Sequence, residues 1–191
     1  MLQNTNIEKL FAFRCAPCLA GIKPANLISL SQSFVEELAE YRECFAQKGV
    51  FMHMLCNCEQ RAQILVYRKK LLEEYLSGAE VTEVLKSFGY HESGCESMLT
   101  ILAQRMSRRN IPNSCAESFP HEIGLFLGYP PADVLEYIRK EGKTYLFCGY
   151  WKVYSEPEKA REIFNQYTEC RKLFALQIER GISIYDLVLA A

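Results

Sequence analysis

Residues 117–134 read ESFPHEIGLFLGYPPADV, and His121 and Glu122 stand side by side in this otherwise apolar run. An imidazole next to a carboxylate can move a proton or bind a metal. The pair also begins like the metalloprotease signature H-E-x-x-H, in which two histidines one helical turn apart hold zinc. Position 125 is Leu, so the second ligand is missing. The same two residues suit a helix N-terminus, where side chains satisfy orphan N–H groups and an acid meets the positive end of the dipole. The whole chain has three histidines, so a metal site built on imidazole would be sparse.

The nine cysteines offer a second chemistry. Cys15-Ala-Pro-Cys18 has the spacing of a redox pair, in which a helix N-terminus lowers the pKa of the leading thiol. No strand-like alternation precedes it, as a thioredoxin fold would require, so paired structural thiols are the favoured reading. Cys56 and Cys58 could join Cys15 and Cys18 around zinc, but a C-x-C turn fits a zinc knuckle poorly. Cys44, Cys95 and Cys170 fall on or beside apolar helical stripes, as small buried hydrophobes do. An odd count without an export signal argues for reduced thiols. Further on, KTYLFCGYWKVY gathers Tyr145, Phe147, Tyr150, Trp151 and Tyr154, which could floor a ligand pocket or fill a core. No phosphate-cradling glycine loop and no G-x-S-x-G elbow occurs.

Helices and a small sheet must position these groups. Ser33 with Glu36 reads as a capping box, Phe34, Leu38, Tyr41 and Phe45 form a stripe, and Gly49 is the stop. VFMHMLC and AQILVYR, separated by NCEQR, predict an antiparallel hairpin at which the sheet starts, with a helix following at KKLLEEYLS. Val81, Val84, Leu85 and Phe88 mark a short helix ended by Gly89. Ser93 and Glu96 open another, with its stripe at Cys95, Met98, Leu99, Leu102 and Met106. Arg105, Arg108 and Arg109 close it as cations complementing the dipole. NIPNSCAES reads as a loop. PHEIGLFLG can be a short helix stopped by Gly128 or a strand, the helix being preferred. PADVLEYIRKEG is a helix, and the aromatic stretch after it is a strand or a hairpin bent at Gly149. Ser155 and Glu158 cap a long closing helix with one face at Ala160, Ile163, Tyr167, Cys170, Phe174 and Ile178, and the tail ISIYDLVLAA docks. The expected fold is a single α+β domain over residues 1–191, with helices packed on a small, mainly antiparallel sheet.

Composition bounds the function. The chain has 191 residues, 49% hydrophobic and 24% charged, as in ordinary globular proteins. Its 22 basic and 23 acidic residues leave a net charge of −1 and no footprint for nucleic acid. No apolar run spans a bilayer and no signal peptide is evident, so the expected location is cytoplasmic, with no membrane partner.

Four blocks in this order, CAPCLAGIKPANLISL, QILVYRKKLLEEYL, FPHEIGLFLGYPPADV and CGYWKVY, resemble domain of unknown function 3793, a family of small bacterial proteins common in anaerobes. The resemblance covers nearly the whole chain and brings no activity, substrate or cofactor with it. The family's first block more often reads C-A-P-T, which weakens the redox pair further. The matching motif residues include Cys15, Lys23, His121, Glu122, Cys148, Trp151 and Lys152. The expectation is a pocket that gathers Cys15, His121 and Glu122 as candidate catalytic groups, with Lys23, Cys148, Trp151 and Lys152 as ligand contacts and no metal ligand assigned. Its partner would be a small molecule or metal, with catalysis, cofactor and oligomeric state left open. The alternative is a non-catalytic protein-protein interaction module that uses TYLFCGYWKVY and the tail as its contact face.

Overall fold

A computed structural model describes residues 6–57, 61–91, 94–108 and 119–190. The loop NIPNSCAES, the hairpin turn with Cys58, Ser93 and Arg109 lie outside the described residues. The elements in order are α1 (Asn6–Leu19), β1 (Ala25–Ser31), α2 (Ser33–Ala46), β2 (Val50–Asn57), β3 (Arg61–Arg68), α3 (Lys69–Leu76), α4 (Ala79–Ser87) and α5 (Cys95–Arg108). Then come α6 (Ile123–Phe126), α7 (Pro131–Arg139), β4 (Phe147–Cys148), β5 (Lys152–Val153), α8 (Pro157–Glu179) and α9 (Ile184–Leu187). This is the expected α+β architecture. None of the described helices is long and apolar enough to cross a membrane.

The main sheet is antiparallel in the order β1-β3-β2. It starts one strand earlier than the sequence pattern predicts. β1 departs from the pattern expected of a strand because ANLISLS mixes polar residues into its alternation, as an edge strand can. The central strand β3 is buried at every position but Arg61 and Gln63 because both faces are covered. On one face Ile28, Leu30, Val50, Ala62, Ile64 and Val66 pack with α1, α2, α8 and α9. On the other, Leu55, Leu65 and Tyr67 pack with α3 to α6.

The carboxyl end of α1 organises the first layer. Pro17 lies inside the helix, and its carbonyl accepts N–H bonds from Ile22 and Lys23 at 3.0 and 3.1 Å. Gly21 supplies the left-handed residue of this Schellman turn at φ 75°. Arg68, buried at the end of β3, donates through Nε to Cys18 O at 2.6 Å and through Nη2 to Leu19 O and to Leu189 O, the latter at 2.8 Å. One guanidinium thereby closes α1 and holds the C-terminal tail. Lys48 adds bonds to Tyr185 O and Val188 O at 2.6 and 2.9 Å. The tail docks as expected, with Ile184 and Val188 buried, so these two residues belong to the core and not to a contact face.

Two expected caps are not formed. Ser33 lies inside α2 and its hydroxyl pairs with that of Ser31 at 2.8 Å. Glu156 in the left-handed region precedes α8, while Ser155 turns its hydroxyl to Asp133. In both cases a neighbouring oxygen competes for the hydroxyl that the backbone would have used.

Replacing Arg68 with Met leaves the Cys18, Leu19 and Leu189 carbonyls buried without their cation. Equilibrium urea unfolding is expected to show a loss of about 3 kcal/mol. An unchanged midpoint would mean that water replaces the guanidinium there.

Candidate functional site

Glu122 is 4% exposed and faces the second core. It accepts hydrogen bonds from Arg105 Nη1 at 2.7 Å and from the Tyr90 hydroxyl at 3.2 Å. Arg105 also bonds the Phe88 carbonyl at the end of α4 and lies over the Tyr90 ring. The cation expected to serve its own helix therefore serves α4 and anchors the turn before α6. His121 takes the other side of that turn. Its ring sits between Phe119 and Tyr137, at centroid distances of 5.3 and 5.0 Å, and has no hydrogen bond among the described residues. Burial lowers its pKa, against the upward pull of Glu122.

Two glycines let this turn approach its neighbours. A Cβ on Gly124 would stand 2.8 Å from Val134 Cγ2, so α6 lies directly on α7. Gly128, at φ 73°, has Pro24 where a Cβ would be. The Lys23-Pro24 block is thus brought against the HEIG block.

Asp133, in the first turn of α7 and 2% exposed, fixes the third wall. Its Oδ2 accepts from the Trp151 indole at 2.7 Å. Its Oδ1 accepts from Tyr154 N, Ser155 N and Ser155 Oγ at 2.9, 2.8 and 2.9 Å. These four neutral donors clamp the hairpin of β4 and β5 to α7. Trp151 then stacks on Tyr129 at 5.1 Å and meets the Phe164 edge at 4.5 Å. Gly149 runs so close to the Phe164 ring that a side chain would not fit. Lys152 donates to Gly142 O at 2.6 Å, with its ammonium over the Tyr145 and Tyr137 rings.

Between α6, α7 and the hairpin lies a cavity of about 280 Å³, lined by aromatic rings together with His121, Cys148, Trp151 and Lys152. Four of the seven candidate residues thus meet in one place. The expected trio does not. Cys15 is fully buried in α1, and burial first, then neighbouring Cys18, raises its pKa well above normal. Such a thiol is a core hydrophobe, not a nucleophile. Cys18 is equally buried, its Sγ facing Pro24 O and Val66 O at 3.6 and 3.5 Å, and burial pushes its pKa to about 12. No disulfide joins the described cysteines. Cys56 belongs to the opposite core from Cys15 and Cys18, so the sheet separates the thiols imagined around one zinc. Among the described residues no group of three or more His, Cys, Asp or Glu side chains is placed to hold a metal ion.

Lys23 lies outside the cavity but behind one of its walls. It is 2% exposed, with its ammonium 5.1 and 5.7 Å from the centroids of Tyr129 and Tyr167. Burial lowers its pKa to about 8, opposed by Cys18 and Cys15. Asp133, Tyr129, Tyr137 and Phe119 are the site residues that the sequence reading missed. Asp133 stands in the first turn of a helix, where an acid is ordinary, and nothing local marks its remote partners.

Asp133→Asn keeps one oxygen for the Tyr154 and Ser155 donors but sets an amide N–H against the indole. A loss of about 2 kcal/mol is expected, with Trp151 emission shifting to the red. Trp151 is the only tryptophan, so the signal is unambiguous. The His121 pKa makes a separate prediction. Below the ordinary value of 6.5 the unfolded chain takes up a proton before the folded one does. Stability contributed by neutral His121 is therefore lost as pH falls from 6.5 toward the lower folded pKa, and is constant above 6.5. Urea unfolding from pH 7 to pH 5 should show a shallower decline in His121→Gln than in the parent, His53 supplying a similar slope in both.

Comparison with known proteins agrees with the resemblance seen in the four blocks. No curated protein and no solved structure matches the chain. A family model described as Protein of unknown function (DUF3793) matches residues 11–188, so its span holds every residue that lines the cavity. The chain is a member of that family.

Proposed function

We propose that this chain is a cytoplasmic small-ligand-binding protein whose site is the cavity between α6, α7 and the β4–β5 hairpin. The carrying observation is that His121, Cys148, Trp151 and Lys152, from two distant sequence blocks, line one cavity of about 280 Å³. That size lies near the lower end of small-molecule pockets, with the usual balance of many apolar walls and few polar groups.

The lining selects the ligand chemistry. Phe119, Tyr129, Tyr137, Tyr150 and Trp151 offer ring faces and edges to a flat apolar body. Lys152 spends one N–H on Gly142 O, and an ammonium has three. Asp133, the acid in the lining, is already engaged by its four donors. Lys152 makes no ion pair among the described residues, so its ammonium keeps donors for the ligand. A planar apolar molecule with one anionic group matches this arrangement.

Anilinonaphthalene sulfonate and its neutral analogue N-phenylnaphthylamine test the reading as a pair. Both are expected to quench Trp151. Lys152→Met should weaken the sulfonate about tenfold, close to the value of one charge-assisted hydrogen bond, while leaving the neutral probe unchanged. Absence of Trp151 quenching by either probe, or equal effects of Lys152→Met on both, would sink the proposal.

A further inference from the structure

Among the described cysteines, Cys15, Cys18, Cys56 and Cys95 are buried and Cys44 and Cys170 half-buried, whereas Cys148 is exposed. Cys148 lines the cavity together with His121 and Lys152. Antiparallel pairing sets Cys148 directly opposite Lys152. Such partners share one face of a hairpin, with Cβ atoms roughly 4.5–5.5 Å apart. A thiol, an ammonium and an imidazole with no hydrogen bond among the described residues therefore border one concavity.

The surrounding donors decide which electrophile suits this thiol. Acyl transfer needs N–H groups free to receive an oxyanion. Here the Trp151 indole is committed to Asp133, and the Gly149 N–H to Trp151 O at 3.1 Å. Thiol–disulfide exchange needs no such hole, because the developing charge is carried by sulfur and departs as a thiolate. Lys152, with donors to spare, is placed to receive a carboxylate carried by the reagent.

We propose that Cys148 is a modification site at which a low-molecular-weight, carboxylate-bearing disulfide transfers one half of itself to the protein and fills the cavity. This rests on the cavity being the ligand site, and makes ligand binding sensitive to oxidised thiols. The exposed Cys148 thiol gives up its proton to solvent. Its Sγ attacks one sulfur of the reagent, the new S–S bond forms as the old one breaks, and the electron pair leaves with the departing thiolate. No second described cysteine lines the cavity, so the mixed disulfide persists until an external thiol removes it.

Oxidised glutathione, an anionic disulfide, and cystamine, a cationic one, distinguish this site from an ordinary surface thiol. Timed reaction of the native protein, followed by peptide mapping, is expected to place the first glutathionyl adduct on Cys148. Lys152→Met should slow reaction with oxidised glutathione about tenfold and not slow cystamine. The adduct should block anilinonaphthalene sulfonate binding in proportion to the fraction of Cys148 modified, with dithiothreitol restoring it. Faster modification of another cysteine, or the same change in both reagent rates in Lys152→Met, overturns the proposal. If the unmodified protein fails to bind the probe, the ligand reading fails, while the mapping and the two rates still decide the fate of the modification site.

Discussion

Several helices in this protein end on carbonyls closed by a cation from elsewhere in the chain, and the Arg68 guanidinium is the central case. A helix leaves its last carbonyls without partners, and burying them unpaired is costly. Arg68 reaches Cys18 O and Leu19 O from the end of β3, and the same group holds Leu189 O of the tail. Arg105 does the same for α4 at Phe88 O, and Lys48 for α9. Each cation also lies favourably at the negative end of a helix dipole. The layers are therefore tied by charge as well as by apolar packing.

This arrangement locates the site. With α1 closed at Leu19, the chain turns through Gly21 and delivers Pro24 onto Gly128. Gly128 stops the turn that carries His121 and Glu122, and the Arg105 pair fixes that turn from behind. On the far side Asp133 clamps the hairpin that brings Cys148, Trp151 and Lys152. The cavity between them is held by buried polar contacts on two sides. Its aromatic walls interlock around Trp151, Tyr129 and Phe164.

The environment sorts similar side chains into different roles. Cys15 and Cys18 lie in a desolvated core, where the thiolate is disfavoured, while Cys148 borders an open concavity. Lys23 and Lys152 divide in the same way. The first is enclosed between two tyrosine rings, and the second keeps part of its ammonium available at the cavity. Adjacent residues diverge too, since His121 turns to the cavity and Glu122 to the core.

The sequence by itself determined most helices, the β2–β3 hairpin and the bend at Gly149, because apolar periodicity and glycine stops act over a few residues. His121 stood out by its neighbour Glu122 and Trp151 by its aromatic stretch, whereas Cys148 and Lys152 were singled out by the family resemblance of the four blocks. What it could not determine was their grouping. Cys15 was paired with His121 because both stood in such blocks, yet α1 turns that thiol into the core. Asp133 and Arg68 carried no local mark and Arg105 was marked only for its own helix, since their partners lie between 17 and 121 positions away. Tertiary structure alone decided those pairings. A buried charge is stabilised by whichever donors or carbonyls folding brings within about 3 Å, and that proximity is a property of packing, not of spacing along the chain.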